Sequence, residues 1–258
     1  QDELLSALTV GAPPDILNRS GQSWGISAFS PTGLKRNGFR AFIEMLRANF
    51  AHAGWLRIDH VMGLHRLYWV PSELGATEGL YVSYPAEELY AILLIESQRQ
   101  QCALAGEDLG TVPDYVRPAM TDAGIHRLFV GQFETEWREH EQHLGLQTPP
   151  ASAIASIDTH DTATFAGWFG TTDLQVEPME LMRSWTEELA AGPAAGLIIN
   201  LEDLWLEEEP QNRPGTGLEV PNWRHRMVRS FTQIVEDGPL CEWLDKLHEL
   251  RSTPKGVN

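Results

Sequence analysis

The chain has 258 residues, of which 42% are hydrophobic and 21% charged, and its formal net charge is −17. It contains no uninterrupted apolar run of the roughly 18 residues that a membrane-spanning helix requires. The acidic balance argues against nucleic acid or an anionic lipid surface as a partner, and it fits a protein that acts on an uncharged molecule.

The first predicted elements are a loop, a helix and a strand. Proline and glycine punctuate residues 11–33 so densely that a loop-like segment is predicted there. Apolar residues at spacings of three and four predict a helix over residues 39–50, which ends at Gly54. Residues 55–59 then form a short apolar run, which predicts a strand.

Strands and helices continue to alternate through the rest of the chain. The predicted elements are a helix over 86–101, a strand over 103–107, a helix over 113–123, strands over 127–133 and 153–158, a helix over 178–191, a strand over 197–201 and a helix over 239–251. This alternation predicts an α/β fold with a parallel sheet and right-handed crossovers. A closed (β/α)8 TIM-type barrel needs eight strands, so five indicate a partial barrel whose first strands are absent.

Two cysteines, Cys102 and Cys241, lie far apart in the sequence without paired metal-ligand spacing. This usage predicts neither a zinc site nor a disulfide framework, and it is typical of a reducing cytoplasm. The chain begins at Gln1 and shows no signal peptide, so we expect that processing or truncation removed an N-terminal part.

Acidic residues occur at or just beyond the ends of three predicted strands. They are Asp59, Glu107 and Asp161. A β/α barrel builds its active site from residues at the carboxyl ends of its strands. Glycosidic-bond chemistry uses a pair of carboxyl groups, one as nucleophile and one as acid. The three acids therefore predict a site for that chemistry.

Neighbouring residues suggest different roles for these acids. Alternate strand residues share a face, so Arg57 lies beside Asp59 and keeps it ionised, although a purely structural pair is an equal alternative. Glu107, shielded at the apolar end of its strand, has a raised pKa and suits a general acid. Its alternative role is to complement the dipole of a following helix. Small residues before Glu107 leave room for a bulky ligand.

A His-Asp dipeptide, His160-Asp161, completes the predicted set. Asp161 would stabilise positive charge on a sugar ring, and His160 would donate a hydrogen bond to the sugar. No metal-ligand spacing is recognised among these residues and His60, so no metal site is predicted. Aromatic residues in or beside predicted loops add apolar surfaces for sugar rings, namely Trp24, Tyr68, Trp69, Trp168, Phe169 and Trp223.

Six motifs resemble those of one family, the 4-α-glucanotransferases, also called amylomaltases. The motifs are Val10-Gly11-Ala12-Pro13-Pro14-Asp15, Gly21-Gln22-Ser23-Trp24-Gly25, Arg57-Ile58-Asp59-His60, Gly106-Glu107-Asp108-Leu109-Gly110, Thr159-His160-Asp161, and Pro214-Gly215-Thr216 with Asn222-Trp223. The order and spacing of these motifs agree with those of the family over nearly the whole chain.

The resemblance implies a (β/α)8 barrel and retaining transfer of an α-1,4-glucan segment to a glucose or glucan acceptor, without metal or organic cofactor. It makes Asp59 the nucleophile, Glu107 the acid/base and Asp161 the stabiliser of the transition state. Substrate-binding roles fall on the remaining site residues, which are Arg57, His60, His160, Gln22 and Trp24.

Family members are much longer, so residues 1–258 are expected to form the C-terminal portion of one catalytic barrel. Either another copy or a second chain is then expected to cover the open edge near residues 1–30, or another contact replaces the missing strands. Two other functions stay open: an α-amylase-type hydrolase of glucans, and an inert glucan-binding fragment.

Overall fold

The computed structural model describes residues 3–14, 19–139, 143–217 and 219–252. The chain divides into two compact units, unit 1 (Gln1–Arg127) and unit 2 (Leu128–Asn258). In chain order, unit 1 contains β1 (Leu4–Ala12), β2 (Gln22–Phe29), α1 (Pro31–Arg36), α2 (Arg40–Phe50), β3 (Trp55–Ile58), β4 (Arg66–Pro71), β5 (Leu80–Ser83), α3 (Ala86–Gln100), β6 (Ala103–Gly106) and α4 (Val116–Asp122).

Unit 1 holds two sheets. The predicted parallel pairing is confirmed for β3 and β6, which lie side by side from Trp55↔Ala103 to Ile58↔Gly106. A second sheet is antiparallel, with strand order β2-β1-β4-β5. The predicted helices over 39–50 and 86–101 are confirmed as α2 and α3, and both pack on one apolar core.

The prediction of a loop over residues 11–33 was wrong for residues 22–29, which form β2 and pair antiparallel with β1, while its part over residues 15–18 lies outside the described residues. Gly11 permits this pairing: a Cβ atom at that position would lie 1.9 Å from the Gln22 carbonyl oxygen. Gly21, at φ +69°, turns the chain just before β2. The glycines therefore belong to a close strand pairing and its turn, and together they place Gln22 at the start of β2.

Unit 2 is built around a three-stranded sheet of order β11-β10-β7. Its elements are β7 (Arg127–Val130), which begins at the last residue of unit 1, then β8 (Thr135–Arg138), β9 (His143–Leu146), β10 (Ala153–Ser156), α5 (Phe165–Phe169), α6 (Pro178–Ala191), β11 (Gly196–Leu197), α7 (Phe231–Val235) and α8 (Gly238–Ser252). β10 and β11 are parallel, as predicted.

Several predicted strands are shorter than expected. β7 ends at Val130, where a 3-10 turn over Gly131–Phe133 replaces its predicted end. β10 ends at Ser156, and β11 ends at Leu197, after which residues 198–200 belong to no helix or strand before the 3-10 helix over Leu201–Trp205. A buried stripe on α6 covers the sheet, with Leu181, Trp185 and Leu189 each less than 10% exposed. The core of unit 2 is therefore formed by α6 packed on a small sheet, together with buried residues of α5 and α8 such as Phe165 and Trp243.

Candidate active site

The pairing of β3 and β6 brings two acids together in unit 1. Because Ile58 is in register with Gly106, the residues that follow them, Asp59 and Glu107, leave the sheet side by side. The Glu107 backbone N–H also donates to the Ile58 carbonyl at 2.9 Å. We call Asp59, Glu107 and the residues around them the first carboxylate cluster.

Asp59 forms an ion pair with the arginine two residues earlier in the chain. The Arg57 Nη2 atom lies 2.6 Å from Asp59 Oδ1, as their shared strand face predicts. The Asp59 side chain is 74% exposed and the Arg57 side chain 31%. The ion pair therefore holds the Asp59 carboxylate in place while leaving it open to approach by a second molecule.

Glu107 is held in a different environment. Its carboxylate accepts hydrogen bonds from the His60 backbone N–H at 2.9 Å and from the Leu109 N–H at 2.7 Å. Burial raises its pKa, the Leu109 bond partly opposes that rise, and the charge of Asp59 adds to it. The next helix, α4, does not begin until Val116, so Glu107 does not complement a helix dipole.

The small residue before Glu107 serves protein packing. A Cβ atom on Gly106 would lie 2.8 Å from a methyl of Val61 and 2.9 Å from the end of Met120. The interpretation of this glycine as room for a ligand was therefore wrong, because protein side chains already fill the space. Gly106 lets a buried apolar layer form directly beneath the two acids.

Three predicted binding residues meet beside Asp59. The Trp24 ring meets the His60 ring edge-on at a centroid distance of 5.2 Å, and its indole N–H donates to Gln22 Oε1 at 2.9 Å. His60 adopts a left-handed conformation, φ 46°, at the start of a 3-10 helix. Burial lowers the pKa of its imidazole and outweighs the opposing effect of Asp59, so burial favours the neutral ring.

Asp108, the neighbour of Glu107, has separate partners. Its side chain is fully buried, and Oδ2 accepts hydrogen bonds at 2.9 Å from Nε of both Arg117 and Arg127. A second Arg117 nitrogen donates to the Asp108 carbonyl at 3.3 Å. Asp108 therefore anchors the loop that carries Glu107.

Unit 2 carries the second carboxylate cluster, formed around His160 and Asp161 on the loop between β10 and α5. His160 Nε2 lies 3.0 Å from Asp161 Oδ2, and Asn212 donates to Asp161 Oδ1 at 3.0 Å. The Trp223 ring is 63% exposed and lies 5.6 Å from the His160 ring. A cleft of about 200 Å³ adjoins them, lined in part by Thr159, His160, Thr162, Glu202, Gln211 and Trp223.

The structure separates the aromatic residues into two groups. Trp24 and Trp223 lie at the two clusters. The prediction that all six aromatic residues lie in or beside loops was wrong for most of them. Trp24 belongs to β2, Tyr68 and Trp69 belong to β4, and Trp168 and Phe169 belong to α5 and pack on the core of unit 2.

Four residues near the second cluster had no predicted role. They are Asn212, Asn200, Asp158 and Asp203, and the last two are buried acids, 2% and 3% exposed. Asp158 could have been noticed as a second acid in the same short motif as Asp161. Nothing in the local sequence brings the distant Asp203 to it.

The described part of the chain shows no group of three or more His, Cys, Asp or Glu residues suited to a metal ion. Cys102 and Cys241 are free. None of the helices in the described ranges combines the length and apolar character that crossing a membrane requires.

Acids that follow parallel strands, on loops beyond the strand ends, are an arrangement typical of α/β proteins, which build their sites at the carboxyl ends of the strands. Comparison with known proteins identifies the family within this class of α/β proteins. A model of the 4-alpha-glucanotransferase family matches residues 1–230. The chain belongs to this family, as its motifs predict.

Curated relatives agree with this assignment. A 4-alpha-glucanotransferase of Haemophilus influenzae is 45% identical, with 95% of this chain and 41% of the relative covered. One from Mycobacterium bovis is 30% identical, with 87% and 37% covered. The chain therefore spans about 40% of the length of these two relatives.

Solved structures show the same fold. An amylomaltase from Corynebacterium glutamicum superposes with a TM-score of 0.75 at 24% identity, covering 97% of this chain and 43% of that one. An amylomaltase from Streptococcus agalactiae in complex with acarbose gives a TM-score of 0.74 at 20% identity, covering 95% and 50%.

Proposed function

We propose that the chain carries out the retaining transfer of an α-1,4-glucan segment to a glucose or glucan acceptor. The observation that carries the proposal is the contrast between two adjacent carboxyl groups. Asp59 is ion-paired and exposed, whereas burial raises the pKa of Glu107. Retaining mechanisms need this contrast between nucleophile and acid. The family relationship supplies the substrate class, maltooligosaccharides and longer α-glucans.

In the first proposed step, an Asp59 carboxylate oxygen bonds to the anomeric carbon of the donor sugar. The glycosidic C–O bond breaks, and protonated Glu107 gives its proton to the departing 4-oxygen. In the second step, a hydroxyl of the acceptor attacks the same carbon and the Asp59 ester bond breaks. Glu107, now a carboxylate, takes the hydroxyl proton, so both residues return to their starting states.

The other predicted residues receive supporting roles. Asp161 balances positive charge on the ring carbon and holds ring hydroxyls, while His160 binds the sugar beside it. Arg57 orients Asp59. Gln22 and Trp24 bind the acceptor side and His60 binds substrate, roles that their mutual contacts in unit 1 support. No metal or organic cofactor enters either step.

We also propose that the chain forms the later strands of a (β/α)8 barrel, residues 1–258 being the C-terminal portion of one catalytic domain. The likeness to amylomaltases and the parallel pairings support this. Among the described residues β3 has a single strand neighbour, and Trp55 at its start is 50% exposed. A second chain or another copy would cover this open edge. The two free cysteines support a cytoplasmic location.

Hydrolysis is the second candidate, and the exposure of Asp59 favours it. A glycosyl-Asp59 ester on a carboxylate that is 74% exposed in the free chain is open to water as well as to sugar hydroxyls. A third possibility, an inert glucan-binding fragment, follows from the chain spanning 41% of its Haemophilus influenzae relative.

One assay separates the three functions. Maltotriose is incubated with the purified chain, and both glucose and longer oligosaccharides are followed over time. Transfer gives glucose together with longer products, and hydrolysis gives shorter sugars alone. An inert fragment gives neither while still binding glucan, and that outcome would contradict the proposal. Proton NMR of the new linkage tests retention, because a retaining enzyme makes α-linkages only.

A further inference from the structure

Two buried acids meet beneath the second carboxylate cluster. Asp158, just beyond β10, and Asp203, in the 3-10 helix over Leu201–Trp205, are 2% and 3% exposed, and this burial, together with the charge of Asp203, raises the pKa of Asp158. Asp158 Oδ2 is buried and has no hydrogen-bond partner among the described residues. Two carboxylates offer acceptors only, so a hydrogen bond between these acids requires a proton on one of them. Such a proton would satisfy Asp158 Oδ2.

The same pair holds both ends of the loop over residues 159–164. At the start, the Asn200 side chain donates to the Asp158 carbonyl at 3.2 Å and also to Asp158 Oδ1. At the end, the Phe165 backbone N–H donates to Asp203 Oδ1 at 3.0 Å. The loop is therefore fastened at each end to the segment 200–203, and a proton shared between the two carboxyls would close the ring of contacts.

The middle of that loop carries the second carboxylate cluster. Internal hydrogen bonds make it a compact turn, since the Thr159 N–H donates to Thr162 Oγ1 and the Asp161 N–H donates to Thr159 Oγ1. A compact turn moves as one body when its ends move. The orientation of His160 and Asp161 consequently depends on the contacts made by Asp158 and Asp203.

The surroundings favour the singly protonated pair. Burial raises the pKa of Asp158 to about 8, and the charge of Asp203 adds to this rise. Burial also raises the pKa of Asp203 to about 6, and Glu202 adds to it. Two buried like charges that act on each other would repel, so the pair retains a proton at neutral pH.

Other groups face the pair from the elements around it. On the side of α6 and the chain after β11, the small cavity that Asp203 lines is enclosed by uncharged residues, among them Met182, Thr186 and Ile199. On the cleft side, the titratable neighbours are His160 and Glu202. Glu202 is the acidic neighbour that acts on the pair.

We propose that one proton shared between Asp158 and Asp203 closes a clamp that holds the loop over residues 159–164 in its working orientation. Both acids, with Asn200, are then positioning residues for Asp161 in the transfer reaction, and this role rests on the proposed function. Removal of the proton in alkaline solution opens the clamp, and the loop becomes mobile. The fold thereby makes the site sensitive to alkaline pH.

Carboxyl NMR tests the shared proton directly. The chain is labelled with 13C at the aspartate side-chain carboxyl and titrated as wild type, Asp158→Asn, Asp203→Asn, and the control Asp173→Asn at an exposed acid. In wild type and control, one carboxyl should stay protonated at neutral pH and titrate near 8. Either clamp variant should lose that signal, because an amide supplies the hydrogen in its place. Ionisation of every wild-type aspartate by about pH 5 would overturn the proposal.

Hydrogen exchange tests the clamp. After correction for intrinsic rates, amides of residues 159–165 in the wild type should exchange at least tenfold faster once the shared proton is lost. In Asp158→Asn, which needs no shared proton, their protection should stay constant across the same range. If Asp158→Asn fails to fold, Asp203→Asn offers the same bond with donor and acceptor reversed. Equal pH dependence of wild type and the folded variant would contradict the clamp.

Glucan transfer then tests the positioning role. Loss of the Glu107 proton lowers kcat of wild type and Asp158→Asn alike at alkaline pH, so the ratio of the variant's kcat to that of the wild type is the test. This ratio should rise as the wild type loses its shared proton, a change that a merely structural role would not produce. A ratio that stays constant across the pH series would overturn the positioning role. Absence of transfer at every pH would count against the proposed function instead, while NMR and hydrogen exchange still decide whether the clamp exists.

Discussion

Asp108→Asn is the substitution whose consequence the structure determines most directly. The carboxylate is fully buried, and Oδ2 accepts hydrogen bonds from Nε of Arg117 and of Arg127 at 2.9 Å. Asparagine keeps the shape of the side chain but removes the charge. It also places an amide N–H group where an acceptor is needed, unless the amide turns its oxygen toward the arginines.

The expected loss of stability in Asp108→Asn follows from the two hydrogen bonds that the arginines donate to Asp108. Hydrogen bonds to charged groups contribute about 1.5–3 kcal/mol each, against about 1 kcal/mol for neutral ones, so losing the charge costs about 1 kcal/mol per bond. Breaking a fully buried ion pair costs about 3–5 kcal/mol. The arginine side chains are 49% and 28% exposed and can recover hydration. We therefore expect the free energy of unfolding of unit 1 to fall by about 2–3 kcal/mol.

Urea unfolding of wild type and variant measures this change from the midpoint at constant slope. The matched control is Asp122→Asn, an exposed acid at the end of α4, for which we expect a change within about 0.5 kcal/mol. In a double-mutant cycle, Arg117→Gln should cost less in the Asp108→Asn background than in wild type. Equal costs in both backgrounds, or an Asp108→Asn effect no larger than the control, would refute the reasoning.

Three further predictions concern the acids of the two clusters. Asp59→Ala should abolish transfer while glucan affinity, measured by calorimetry, stays largely intact; substantial residual transfer would mean that another residue attacks. Glu107→Gln should strongly slow transfer from ordinary glucans but partly spare the first step with donors whose leaving groups need little protonation. An equal loss of rate with every donor would contradict the acid role of Glu107. Because burial raises the folded pKa of Asp158 to about 8, the folded chain binds more protons than the unfolded chain between about pH 4 and pH 8. Stability therefore falls as pH rises through that range, by up to about 1.4 kcal/mol per unit for one proton. Asp158→Asn should remove that slope in urea unfolding at a series of pH values, and parallel wild-type and variant curves would show that no proton is shared.

Local signals in the sequence predicted the parallel strand pairs and much of the first carboxylate cluster. The alternation of short apolar runs with helical periodicity reflects burial, which fixes β3, β6 and the helices around them regardless of distant residues. Once those strands pair in register, Asp59 and Glu107 must leave the sheet together. Arg57 meets Asp59 for the same reason, since residues two apart share a strand face.

Only the tertiary structure revealed the hairpin of β1 and β2, which places Gln22 and Trp24 beside His60. Taken alone, Gly11 and Gly21 predict a turn. The strand pairing is recognised only in the structure, where Gln22 contacts Gly11. Gly106 shows the same limitation, because Val61 and Met120, distant from it in sequence, decide why no side chain fits there.

The clamp shows most clearly what the sequence alone could not determine. Asp158 and Asp203 are ordinary acids in the sequence, and the unfolded chain would leave both ionised in water. Folding buries them against each other, so solvation is lost and one proton must be retained. Their protonation is thus a property of the folded structure, because it depends on a contact between residues far apart in the chain.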